Sequence, residues 1–97
     1  MTQDDKASDS TRHFRFSRHA LEELERRGIP RELVESVLRH PQQVVEETEG
    51  LKAYQSKVDF VKGEMYLLRI IVNEKSMPAM VVTVYRTSKM AKYWRES

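Results

Sequence analysis

Apolar residues recur at helical spacing in two segments of the first half of the chain. The first segment predicts a helix from Arg18 to about Arg27, with Ser17 as a favourable N-cap and Gly28 as its C-terminal stop. The second predicts a helix that begins near Pro30 and ends at Pro41. The predicted buried stripes are Ala20, Leu21 and Leu24 in the first helix, and Leu33, Val34, Val37 and Leu38 in the second.

The rest of the chain has apolar patterns of strand length, after a short extended piece predicted at His13 to Phe16. The four predicted strands are Val44 to Thr48, Tyr54 to Phe60, Met65 to Val72 and Ala79 to Tyr85. The last two are apolar on both faces, which favours central positions in a sheet. A short terminal helix is predicted after Ser88. We therefore predict an α+β fold: two N-terminal helices mainly on one face of a roughly four-stranded antiparallel sheet, and a short C-terminal helix.

The composition fits one small domain. The chain has 97 residues, of which 39% are hydrophobic and 33% are charged, so it can bury one core. Residues 1–12 are almost free of apolar side chains and predict a disordered tail, which leaves residues 13–97 as a single α+β domain. No apolar run has the length of a membrane span, and no signal peptide is visible. We therefore expect a cytoplasmic protein with no membrane partner.

The positive charge is concentrated outside the predicted tail. The formal net charge is +2, but residues 1–12 carry −1 and the rest of the chain +3. Three of the basic residues, Lys89, Lys92 and Arg95, lie close together near the C-terminus. This balance favours an anionic partner such as RNA or DNA, although a solvated surface accounts for it equally well.

Several familiar catalytic patterns are missing. The chain has no cysteine, which excludes disulfides, thiolate zinc sites and cysteine nucleophiles. Its three glycines stand alone, so there is no phosphate-binding loop. The histidines, His13, His19 and His40, lack metal-ligand spacing. We therefore predict no metal and no cofactor, and a site that would use side-chain acids, bases and cations.

His19 is the leading catalytic candidate, because the predicted N-cap places it and Arg18 in the first turn of a helix. Backbone N–H groups and the helix dipole attract anions there and oppose protonation of an imidazole. A neutral His19 beside a phosphate site that includes Arg18 would serve as a base, and in a ribonuclease it would act as general base or acid on the ribose 2′-hydroxyl and the leaving oxygen. The structural alternative is a half-buried imidazole, hydrogen-bonded within the helix start.

Arg69 lies within an apolar strand, where a guanidinium is costly to bury unless it is paired or lies at an opening. If Asn73 to Pro78 closes a hairpin, one register places Arg69 roughly opposite Thr83, with Tyr85 a step away. Arg69 would then hold a phosphate in bidentate fashion, and Thr83 and Tyr85 would position the backbone. The structural alternative is an ion pair between Arg69 and a helix carboxylate, from Glu22, Glu23 or Glu35.

Other candidates have weaker patterns. Tyr54 and Lys89 are predicted to contact the substrate, with Lys89 aiding Arg69 at the phosphate. Tyr93 and Trp94 either stack on nucleic-acid bases or dock an amphipathic terminal helix onto the domain, and docking is the more common arrangement.

Three separate segments of the chain carry a resemblance to a known family. They are Phe16-Ser17-Arg18-His19-Ala20, then Arg27-Gly28-Ile29, and finally the strand Val81-Val82-Thr83-Val84-Tyr85. In these segments the chain, from about Phe14 to Tyr85, resembles a family of small bacterial proteins of unknown function. That family looks distantly similar to toxins of the RelE and ParE type and to other small nucleases with the same layout of helices and sheet. Its members often carry a basic residue at the position of Glu23, where a carboxylate would affect His19 or pair with Arg27.

The resemblance implies a toxin-like, metal-independent ribonuclease with RNA as substrate and an antitoxin-like protein as partner. His19, Arg69, Thr83 and Tyr85 would line one cleft, provided that the first turn of helix one lies over the Arg69–Thr83 face. The alternative is a non-catalytic protein- or nucleic-acid-binding module on the same fold. It predicts a buried His19, and contacts through an edge strand such as Val44 to Thr48 or through the basic Lys89 to Arg95 helix. A ParE-like gyrase poison is a third alternative.

Overall fold

The computed structural model describes residues 13–96, which contain three α-helices and five strands. The predicted tail, residues 1–12, lies outside the described residues. A 3₁₀ turn at Thr48–Gly50 separates the second and third strands. In chain order the elements are β1 (Phe14–Phe16), α1 (Arg18–Arg27), α2 (Arg31–Arg39), β2 (Gln43–Glu46), β3 (Lys52–Val61), β4 (Glu64–Asn73), β5 (Ala79–Thr87) and α3 (Met90–Tyr93). The predicted α+β class and the three helices are confirmed.

The strands form one mixed sheet in the order β1-β5-β4-β3-β2. The predicted sheet of four antiparallel strands lacked β1, which pairs parallel with β5 so that Phe14 lies beside Ala79 and Phe16 beside Val81. Three residues are too few to show the alternation that identifies a strand, so the sequence indicated only an extended piece. The predicted central positions of β4 and β5 are confirmed.

The helices α1 and α2 cover one face of the sheet, which we call the helix-pair face. Side chains alternate along β4 and β5, and the apolar members of this face are buried against Ala20 and Leu24 of α1 and Val34 of α2. Leu21, predicted to join the buried stripe of α1, is instead 41% exposed. The strand side chains at the centre of this core are Leu68, Ile70, Val72, Val81 and Val84.

The opposite side of the sheet, which we call the distal face, carries the alternate side chains of the same strands. Leu67 and Ile71 are buried there, with Arg69 between them. The chain after β5 crosses to this face, where the ring of Tyr93 lies over Arg69. No helix in the described part of the chain has the length and apolar character needed to cross a membrane.

Candidate functional site

Arg69 is the centre of a hydrogen-bond network on the distal face, although its side chain is only 2% exposed. Its Nε donates to Gln55 Oε1 at 2.8 Å, Nη1 to the Tyr85 hydroxyl at 2.6 Å, and Nη2 to a Glu47 carboxylate oxygen at 2.6 Å. A guanidinium has five N–H groups. Two of them therefore have no acceptor among the described residues.

Sheet register and chain order bring these partners together. Gln55 on β3 and Tyr85 on β5 are the direct neighbours of Arg69, and paired residues point to the same face. Glu47 follows the last residue of β2, and the Tyr93 ring centroid lies 4.3 Å from Arg69 Cζ. Glu47 and Gln55 were not predicted, because a lone polar residue in or after a strand is a common surface feature.

A β-bulge in β5 places the side chain of Tyr85 on the same face of the sheet as Arg69. Val72 pairs with Val81 while Ile71 pairs with Thr83, so Val82 is the extra residue. One extra residue reverses the alternation of side chains beyond it, which turns Thr83 and Tyr85 to the distal face. The predicted register placed Thr83 opposite Arg69; the observed register places Tyr85 there.

Ser17 joins the start of α1 to this bulge. Its hydroxyl oxygen accepts a hydrogen bond from the Ala20 N–H at 3.0 Å, as predicted for an N-cap. The same hydroxyl donates to the Val82 carbonyl at 3.0 Å, and the Ser17 N–H donates to the Val81 carbonyl at 3.0 Å. Ser17 therefore satisfies polar groups of both elements, a second role that no pattern in the sequence indicated.

The structure does not bring His19 to Arg69. The helix α1 packs through Ala20 and Leu24 on the helix-pair face, because the more apolar side of β4 and β5 lies there. Arg18 and His19 are exposed, and neither side chain makes a hydrogen bond, ion pair or ring contact with a described residue. The predicted cleft that joins His19 to Arg69 is therefore not formed, and His19 is not the buried residue that the binding-module hypothesis required.

Glu23 forms a local ion-pair cluster instead of acting on His19. Its Oε1 lies 2.7 Å from Arg26 Nη2 and 2.6 Å from Arg27 Nε. Hydrogen bonds from Arg26 and then Arg27 lower the pKa of Glu23 to about 2. The predicted pair with Arg27 is therefore observed.

The carboxylate partner of Arg69 comes from outside the helices. Glu23 is held by its own helix, and Glu35 lies 3.1 Å from Arg31 in the same way. Glu47 occupies the role that the sequence assigned to Glu22, Glu23 or Glu35.

The three residues predicted to contact substrate lie apart from one another. Tyr54 is buried on the helix-pair face, with its ring 5.8 Å from that of Phe14 and its hydroxyl donating to Glu74. Arg18 belongs to α1 on that side, whereas Lys89 is an exposed residue just before α3. Tyr54 is thus a core residue.

The Tyr85 hydroxyl has a proton that no described residue accepts. Burial raises the pKa of Tyr85 above its usual value of 10, and the positive charge of Arg69 opposes that shift. The hydroxyl is therefore protonated at neutral pH. It accepts from Arg69, and its own proton has no acceptor among the described residues.

These groups provide what an anion-binding acid–base site requires. The guanidinium offers two N–H groups, Tyr85 offers a proton, and the side chain of Glu47, 29% exposed, offers a carboxylate. Within residues 13–96, no three His, Asp or Glu side chains are grouped in a way that could hold a metal ion.

Comparison with known proteins places the network inside a defined family. Residues 16–86 match the family described as "Domain of unknown function (DUF4258)". The chain belongs to the DUF4258 family. The DUF4258 match includes Glu47, Gln55, Arg69 and Tyr85, whereas α3 with Tyr93 lies beyond it. No curated protein and no solved structure matches the chain.

Proposed function

We propose that this DUF4258 domain is a metal-independent ribonuclease whose phosphodiester site is formed by Glu47, Arg69 and Tyr85. The observation that carries the proposal is a buried guanidinium with two N–H groups that have no acceptor among the described residues, next to a carboxylate and a hydroxyl proton. A guanidinium with N–H groups to spare can donate to phosphate oxygens, and each such hydrogen bond is charge-assisted. The resemblance to small metal-independent nucleases supports the same class of reaction.

In the proposed reaction Glu47 takes the proton of a ribose 2′-hydroxyl as general base. The 2′-oxygen then forms a bond to phosphorus, and the bond from phosphorus to the 5′-oxygen breaks. Tyr85 gives its proton to that leaving oxygen, so the products are a 2′,3′-cyclic phosphate and a free 5′-hydroxyl. Arg69 stabilises the negative charge that develops on the phosphate oxygens.

Access to Arg69 requires movement of Tyr93, because its ring covers the guanidinium. All four residues of α3 are exposed or half-exposed. The Tyr93 side chain can therefore turn outward and uncover the guanidinium while its backbone carbonyl keeps the hydrogen bond from Gln55 Nε2. The proposed site thus opens without disturbing the helix-pair face.

The test is cleavage of an RNA oligonucleotide in the presence of a metal chelator. We expect wild-type cleavage, and losses in rate of about 10²-fold or more for Glu47→Gln and Arg69→Lys. Tyr85→Phe should also slow the reaction, since it removes the proton donor. Glu46→Gln is the matched control for Glu47→Gln, because Glu46 is the preceding residue and its carboxylate is exposed.

Two outcomes would overturn the proposal. One is that wild-type protein leaves RNA intact. The other is that His19→Ala abolishes cleavage while Glu47→Gln retains it, which would place the chemistry at the start of α1.

A non-catalytic binding module is the second candidate, favoured by the connections of Arg69. Its three hydrogen bonds tie β4 to β3, to β5 and to the end of β2, which is a sufficient structural reason for a buried arginine. The edge strand β2, with Val44 45% exposed, would then provide a contact surface. This candidate predicts binding of a partner without RNA cleavage, and variants at Arg69 that lose stability only.

A further inference from the structure

The residues after β5 place aromatic rings and cations beside the Arg69 network. We call residues 90–96 the terminal segment. The Lys57 ammonium of β3 lies 4.1 Å from the centroid of the Trp94 ring, and Lys92 Nζ lies 5.2 Å from that of Tyr93. Trp94 is half-exposed. Both rings thus combine a π-surface with a nearby positive charge.

Hydrogen bonds to two glutamines fix the terminal segment on the distal face. Gln55 Nε2 donates to the Tyr93 carbonyl at 3.2 Å, while Gln43 Oε1 accepts from the Arg95 N–H at 3.1 Å. Gln55 also accepts from Arg69, so Tyr93 and the guanidinium share one partner. The position of Trp94 is therefore coupled to the network.

We infer that Trp94 and Lys57 form a subsite for single-stranded RNA next to the bond to be cleaved. A base stacks on the Trp94 indole, and the Lys57 ammonium moves from the ring to the neighbouring phosphate. This inference rests on the proposed function, because it names the form of RNA that the Arg69 site accepts. Stacking on an aromatic ring is tolerant of sequence, so the subsite selects for strandedness rather than for a particular base.

The combination of a ring with cations favours single-stranded nucleic acid over other anions. The bases of a duplex are stacked on one another, and their faces are not available to a side chain. An acidic peptide would be attracted by the cations but would not need the indole. Residues 89–96, together with Lys57 and its neighbour two positions on, carry Lys57, Lys89, Lys92 and Arg95 against Asp59 and Glu96, and the adjoining network adds the Arg69–Glu47 ion pair.

Trp94 is the only tryptophan of the chain, so its fluorescence reports this subsite directly. The first experiment titrates wild-type protein with a 2′-O-methyl single-stranded RNA oligomer, which binds but lacks the nucleophilic hydroxyl. The comparison ligands are a duplex of the same sequence and a poly-aspartate of equal charge. We expect saturable quenching by the single strand and much weaker quenching by the other two. Equal quenching by duplex or by poly-aspartate overturns the inference.

The second experiment measures affinity by the anisotropy of a labelled 2′-O-methyl oligomer. Trp94→Ala should weaken binding about 5- to 100-fold, and Trp94→Phe should weaken it less because a ring remains. Lys57→Ala should lower the slope of log affinity against log salt concentration by about 0.7, the value for one phosphate contact on a single strand. Lys62→Ala removes one charge from the β3–β4 turn and should leave both quantities unchanged.

These results separate the subsite from the proposed chemistry. Unchanged affinity in Trp94→Ala, in a protein that cleaves RNA, overturns the subsite and leaves the ribonuclease proposal intact. Stacking on Trp94 without cleavage supports the subsite and overturns the ribonuclease. Equal changes in Lys57→Ala and Lys62→Ala show that only net charge matters, which overturns the subsite.

Discussion

The two faces of the sheet are built from alternate residues of the same strands, yet different forces hold them. On the helix-pair face, Leu68 and Ile70 of β4 are buried against two amphipathic helices, so hydrophobic burial dominates. On the distal face, Arg69 lies between two apolar residues and is held by hydrogen bonds that come from three other parts of the chain. The helix-pair face is therefore a hydrophobic core. On the distal face, a substitution at Arg69 changes the free energy of unfolding through charge and hydrogen bonds as well as through packing.

The ion pairs show the same contrast. Glu23 is paired with arginines three and four residues away on its own helix, whereas Arg69 is paired with a carboxylate 22 residues away. A local pair forms whenever the helix forms. A distant pair forms only when the whole sheet is assembled, so it reports tertiary structure.

The largest expected effect is on the helix-pair face. Leu68 is fully buried, and Leu68→Ala should lower the free energy of unfolding by about 2–5 kcal/mol, because it removes apolar contacts and leaves a cavity. Denaturant unfolding followed by circular dichroism measures the loss. Leu21→Ala on the exposed side of α1 is the control and should change stability by about 0.5 kcal/mol or less. Similar losses in the two variants would contradict the assignment of the core.

On the distal face, removing Glu47 and removing Arg69 should lower the free energy of unfolding by different amounts. Glu47→Ala leaves a buried guanidinium without its counter-charge and should cost about 3 kcal/mol. Arg69→Met leaves a carboxylate that can turn towards water but also removes the donor to the buried Gln55 Oε1, so it should cost about 1–3 kcal/mol. Unfolding in urea at neutral pH compares the two. A larger loss in Arg69→Met would mean that the charge of Arg69 is not buried as described.

Ser17 connects the two faces, since it caps α1 and anchors the bulge that turns Tyr85 to the distal face. Ser17→Ala removes both hydrogen bonds and should lower stability by about 1–2 kcal/mol. The control is Ser36→Ala on the exposed side of α2, which should be neutral or slightly stabilising. If thermal unfolding gives the same result for both, the bulge does not depend on Ser17.

The smallest effect is the pH dependence of the local cluster. Because the folded state holds the pKa of Glu23 at about 2, below its ordinary value of 4.5, its contribution is complete above pH 4.5 and is lost as the pH falls towards 2. The difference in unfolding temperature between wild type and Glu23→Gln should therefore shrink over that interval. A difference that stays constant over that interval would mean that the ion pairs with Arg26 and Arg27 do not form in solution.

Much of the fold was predictable because its signals are local. The stripes of α1 and α2, the cap at Ser17 and the apolar runs of β4 and β5 each follow from residues a few positions apart. The parallel strand β1 was missed because three residues show no period. The bulge at Val82 was missed because it depends on a register between two strands, which no residue of β5 specifies alone.

The candidate site also has features that local sequence signals predict and features that depend on distant residues. The sequence marked Arg69 and Tyr85, because polar groups within apolar strands require partners, and it marked His19 by its position at a helix start. Whether these side chains lie close together depends on which face of the sheet each one occupies. A shift of one residue in a strand moves a side chain to the other side of the sheet, and only the assembled register fixes that shift.

The class of fold, the order of most elements and the need for a partner at Arg69 follow from the amino-acid sequence, since each is set by local periodicity or by the cost of burying a charge. The identity of those partners, Glu47, Gln55 and Tyr85, is visible only in the folded chain, as are the position of His19 on the opposite side and the contact of Trp94 with the distal face. Those outcomes depend on strand order, on one bulge and on where the chain turns after β5. Hydrogen bonds between residues far apart in the sequence form only once the sheet, its bulge and the path of the chain after β5 are in place.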